Sequence, residues 1–174
     1  MNPFVEYLRW RHSKGYGVHS PYAYRFVTDV LRPGDYGYYA YHVAERLLKR
    51  NRRAMLELVK FTIRLAVFLG TKRIIYSDSL KGLAEVVAKS LNISWIALNK
   101  SRDMNSEDLI LLDDNSLDAK SSCLSSPVLA LKPDFQLRKV LEEPQKNGLL
   151  MKGKNKIVFI PRKDMAYVSY DILM

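Results

Sequence analysis

Apolar positions follow two different rhythms along the chain, and the change falls near Thr71. Before it they recur at helical spacing. In "YAYRFVTDVLR" (22 to 32) Phe26, Val27 and Val30 share one face, and Ser20-Pro21 supplies an N-cap followed by a first-turn proline. Pro33, Gly34 and Gly37 stop that helix. A second helix is predicted over 40–49 and a third over 53–69. In the third, Leu58, Thr62, Leu65, Ala66 and Leu69 face inward, Lys60 and Arg64 face outward, and Gly70 is the C-terminal cap.

After Thr71 the apolar residues shorten into runs: "RIIY" (73–76), "SWIALN" (94–99), "DLILLDD" (108–114), "PVLAL" (127–131), "GLLMKG" (148–153), "NKIVFIP" (155–161) and "AYVSYDIL" (166–173). Helical patterns at 80–91 and 135–143 lie between them, which is the order of a mostly parallel sheet with crossover helices. The last two runs, joined by "RKD", predict an antiparallel hairpin at a sheet edge. The polar stretch 113–126 reads as a loop. The expected organisation is one compact unit: a helical extension over 1–70 packed on an α/β domain over 71–174.

Composition narrows the classes. In 174 residues, 48% hydrophobic content supports a buried core and excludes intrinsic disorder. One cysteine, Cys123, cannot form an intramolecular disulfide, and "MNPFVEYLRWRHSKG" lacks the apolar run of a secretory signal, so a cytoplasmic location is expected. The most apolar stretch, 55–70, contains Glu57, Lys60 and Arg64 and is too short and too charged to span a membrane.

The net charge of +10 is uneven: residues 44–73 carry nine Lys/Arg against two Asp/Glu. That segment suggests a surface for nucleic acid or another anionic partner, with Arg50, Arg52 and Arg53 in the loop between two helices. It equally suggests the solvated outside of basic helices or contact with a second copy. No nucleic-acid motif accompanies it, and the eleven tyrosines form no stacking repeat.

Residues 11–21, "RHSKGYGVHSP", concentrate two histidines, two glycines, two serines and two cations. A zinc site needs three or four ligands, and His42 is the only other histidine, so no metal is expected. The structural alternative has His19 and Ser20 capping the next helix and His12 lying against an aromatic ring. Cys123 has no Cys-x-x-Cys partner and no adjacent histidine, which argues against a catalytic thiol.

With "GVHSPYAYRFV", "LELVKFTIRLAVFLGTKRIIYSD", "SEDLILLDD" and "KIVFIPRKDMAYVSYDIL" in place, the chain resembles class I S-adenosylmethionine (SAM)-dependent methyltransferase-like proteins that begin with a helical extension of this type. The resemblance implies a Rossmann-like three-layer α/β sandwich, a mostly parallel sheet and a SAM site. It places cofactor contacts at Asp78, Gly82, Asn99 and Asp113 (or Asp114), and it assigns no catalytic residue.

Such a site needs a glycine-rich turn after the first strand and an acidic residue ending the second. Here the turn is Ser77-Asp78-Ser79-Leu80, Gly82 is its one remaining glycine, and Asn99 stands where a carboxylate belongs. The segment 100–107 is also short for a further helix and strand. Three readings follow: a methyltransferase-like protein that has lost most or all SAM-dependent catalysis, a non-enzymatic interaction protein using residues 44–73, and an active methyltransferase with an unusual cofactor loop.

Overall fold

The computed structural model describes residues 3–32, 38–48, 53–101, 103–113, 125–142 and 147–174. It is an α/β fold with a seven-stranded mixed sheet in the order β2-β1-β3-β4-β6-β5-β7. The strands are β1 (Arg73–Tyr76), β2 (Ser94–Ala97), β3 (Asp108–Leu112), β4 (Val128–Leu131), β5 (Gly148–Lys152), β6 (Lys156–Pro161) and β7 (Val168–Asp171). All seven apolar runs of the sequence are strands.

The helices are α1 (Pro3–Ser13), α2 (Pro21–Phe26), α3 (Tyr39–Leu47), α4 (Arg53–Leu69), α5 (Lys81–Leu91) and α6 (Phe135–Glu142). Ser20 caps α2 through the Ala23 N–H at 3.3 Å, with Pro21 at its first position. After Phe26 this helix widens into a π-turn over Val27–Leu31, which the apolar spacing does not signal. Gly70 ends α4 at φ +66, a backbone angle that a side chain resists, while the Thr71 N–H closes onto the Ala66 carbonyl. The breaker residues Pro33, Gly34 and Gly37 lie outside the described residues.

β1 pairs in parallel with β2 and β3, and β3 with β4. β6 then runs antiparallel between β4 and β5, and β7 lies parallel to β5 at the edge. The expected hairpin between the last two runs is therefore corrected. The hairpin joins β5 to β6 across the short turn 153–155, while "RKDMAY" carries the chain past the start of β5. In that connection Arg162 donates its N–H to the Asn147 carbonyl at 3.2 Å, Asn147 Nδ2 reaches the Lys163 carbonyl at 3.4 Å, and Arg162 pairs with Asp164. Six residues exceed a tight turn and suffice to step over one strand.

Residues alternate between two apolar layers, as strand pleating requires. Ile74, Leu109, Leu111, Leu129, Val158 and Ile160 face the larger cluster, shared with residues of α2 to α5. Ile75, Ile110, Val128, Ile157 and Phe159 face a smaller one that includes Leu137 and Leu141 of α6. Helices thus pack on both faces. At the amino-terminal end of the sheet Arg73 grips the buried Asp108 carboxylate with two hydrogen bonds, at 2.9 and 2.6 Å, and the Asn105 N–H adds a third at 2.7 Å.

Candidate functional site

The chain leaves β1 through α5 to β2 on one side and returns to β3 on the other. The strand order therefore reverses between β1 and β3, and the crevice outside their carboxyl ends is where open α/β sheets bind ligands. Five residues build it. The Ser77 N–H donates to the Leu111 carbonyl at 3.0 Å, extending the ladder one residue past β1. Its side chain is buried, and among the described residues Oγ has no hydrogen-bond partner. Asp78–Leu80 then make one 3-10 turn, closed by the Leu80 N–H on the Ser77 carbonyl at 2.8 Å. Asp78 is exposed, and Leu80 turns its side chain onto the larger core cluster.

Across the reversal, the Ser79 hydroxyl donates to Oδ2 of Asp113, a buried carboxylate just beyond β3. This contact latches the two strand ends together. Of the four residues implied by the resemblance, Asp78 and Asp113 reach this edge, where Ser79 takes up one carboxylate oxygen of Asp113. Gly82 lies in the first turn of α5, and a Cβ built on it would meet nothing within 4 Å, so no close approach requires a glycine there. Asn99 is exposed in the 3-10 turn Leu98–Lys100 after β2. Asp114 lies outside the described residues. The sequence singled out the carboxylates and missed the serines, whose one available signal was their pairing around Asp78.

The histidines lie elsewhere. His12 Nδ1 donates to the Asp171 carbonyl at 2.9 Å, and its ring meets the Tyr170 ring edge-on at 5.4 Å. Ser13 Oγ accepts the Leu173 N–H at 2.6 Å, and the Ser20 hydroxyl points to the Met165 sulfur at 3.7 Å. Arg162 stacks over Tyr22 at 4.5 Å, and burial raises the Tyr22 phenol above its ordinary range. The signature 11–21 is thus a receptor for the end of the sheet. His19 is exposed, and Ser20 alone supplies the side-chain cap. His42 lies 3.9 Å from Glu45.

The basic segment is less available than its composition suggests. Lys60 pairs with Glu45 at 2.8 Å, and Arg64 donates to the Val30 carbonyl at 2.7 Å and the Tyr41 hydroxyl at 3.3 Å, so neither is the outward cation that spacing predicts. The cause is α4 itself, which is covered on more sides than an amphipathic surface helix. Lys72 and Arg73 pair with Glu107 and Asp108. Arg53 is exposed, whereas Arg50, Arg52 and Cys123 lie outside the described residues. Near α4, burial and the Arg64 charge push the Lys156 ammonium below its ordinary range, with Nζ 5.0 Å from the centre of the Phe61 ring.

Among the described residues no group of three or more His, Cys, Asp or Glu side chains could hold a metal ion, and no helix is long and apolar enough to cross a membrane. Comparison of the chain with protein families, with curated proteins and with solved structures finds no match.

Proposed function

We propose that this chain is a methyltransferase-type scaffold that has lost SAM-dependent methyl transfer and keeps at most a small polar-ligand site at the β1/β3 reversal. One observation carries the reading: the crevice survives while its loop is built for other contacts. Leu80 packs into the core, Ser79 ties the loop to Asp113, and no residue from Ser77 to Gly82 has the positive φ that a glycine cradle would use.

These residues do not suit SAM, because no backbone is bared by glycine for its methionine part and no carboxylate ends β2 for its ribose. What remains is the buried Ser77 hydroxyl, the Ser79–Asp113 pair and the exposed Asp78, a set suited to a small hydrogen-bonding ligand. The basic segment gains no comparable support, since four of its cations are engaged within the fold.

Titration calorimetry with SAM and with S-adenosylhomocysteine tests the proposal. The expected result is no saturable binding tighter than about 100 μM, near −5.5 kcal/mol. A dissociation constant well below that value, or labelled methyl transfer from SAM to a cell-extract component, overturns it.

A further inference from the structure

Five of the large hydrophobic residues left exposed belong to one stretch: Phe4 at 64%, Tyr7 at 52%, Trp10 at 46%, Tyr16 at 60% and Tyr24 at 50%. At 100° per residue, Phe4, Tyr7, Trp10 and Arg11 of α1 and Lys14, the residue after it, whose N–H reaches the Trp10 carbonyl at 3.2 Å, occupy an arc of roughly 120°. The opposite side of α1 is the docked one, with His12 and Ser13 on the last strand and its continuation. The outer face is built as a unit. Tyr7 and Trp10 stack at 6.2 Å, Arg11 lies 5.9 Å from the Tyr7 ring centre, and Lys14 lies 6.0 Å from that of Trp10. Tyr24 extends it, its ring so close to Gly15 that a Cβ there would stand 2.9 Å away.

We propose that this face of α1 docks on an anionic lipid surface, with the aromatic rings at headgroup depth and Arg11 and Lys14 on lipid phosphates. Tyrosine and tryptophan suit that depth because each combines an apolar body with a polar tip, and cationic side chains beside them add attraction to anionic headgroups. Neither Arg11 nor Lys14 has a carboxylate partner among the described residues, and the chain carries a net charge of +10. Glu6 is the one acid on α1.

A second copy is a poorer occupant, since symmetric pairing would bring the Arg11 and Lys14 of both copies together. Single-stranded nucleic acid needs free ring faces. Here Tyr7 and Trp10 turn faces to each other and lie beneath cations. The inference is independent of the β1/β3 site.

The test uses the full chain with Trp95→Phe, which leaves Trp10 as the only tryptophan. Vesicles of phosphatidylcholine mixed with phosphatidylglycerol should sediment the protein and shift Trp10 emission to the blue, and pure phosphatidylcholine should do neither. Arg11→Gln with Lys14→Gln should weaken partitioning about thirtyfold. Added salt should weaken it as well. Circular dichroism checks that each variant folds, and sedimentation of the unsubstituted protein needs no tryptophan change. Absence of sedimentation with anionic vesicles overturns the proposal. So does Trp10 quenching by poly(U) without vesicle binding, or a dimer in ultracentrifugation that is lost on Tyr7→Ala.

Discussion

Replacing His12 by alanine separates a structural clamp from a catalytic histidine. Three losses follow from the geometry. The Nδ1–H bond to the Asp171 carbonyl, at 2.9 Å, is a neutral hydrogen bond worth about 1 kcal/mol net. The edge-on contact with Tyr170 at 5.4 Å adds about 0.5–1.5 kcal/mol. The half-buried ring also leaves a gap against β7. A destabilisation of about 2–3 kcal/mol is expected, and for a chain of this length it lowers the thermal midpoint by about 4–12 °C.

Urea unfolding followed by circular dichroism measures it, with an unchanged denaturant slope showing that the same structure unfolds. The double variant with Tyr170→Ala should recover about 1 kcal/mol of coupling. A His12→Ala cost below about 0.5 kcal/mol, or zero coupling to Tyr170, would refute the clamp.

Other positions make independent statements. Asp108→Asn removes the charge held by Arg73 and should cost about 2–3 kcal/mol in the same assay, the low end for a buried pair because Arg73 keeps some contact with water. Gly148→Ala should cost about 3 kcal/mol, since Gly148 sits at φ +142 with its open side against the Ile160 carbonyl.

Lys156 sets a pH dependence. Its folded-state value is lowered, so between that value and about 10.4 the unfolded chain holds more protons, and stability rises with pH across the window. Lys156→Met should therefore raise the melting midpoint at neutral pH, by a margin that shrinks as pH climbs toward that upper limit. A constant margin would show that desolvation of the ammonium is not the cause.

The sequence made the elements legible and their neighbours illegible. Period-two and period-3.6 patterns state which side of an element is apolar, and they located every strand together with α4, α5 and the Ser20 cap. They carry no information on which strand lies beside which, so the pattern predicts β7 beside β6, whereas it pairs with β5. The same limit explains Lys60 and Arg64: a cation four residues from another looks solvated until the elements around it are known. At the β1/β3 edge the departures from glycine were plain in the text. The Ser79–Asp113 contact was not, because it joins residues 34 apart whose meeting depends on the sheet register.

The clamp between α1 and β7 also has a timetable. His12 and its carbonyl partner are 159 residues apart. At typical synthesis rates α1 waits roughly 8–30 s for the strand that covers it. During that interval the side of α1 that carries His12 and Ser13 has no sheet edge to rest on, and the nascent chain presents it together with the aromatic outer face. In this order α1 is set in place only after β7 has been made.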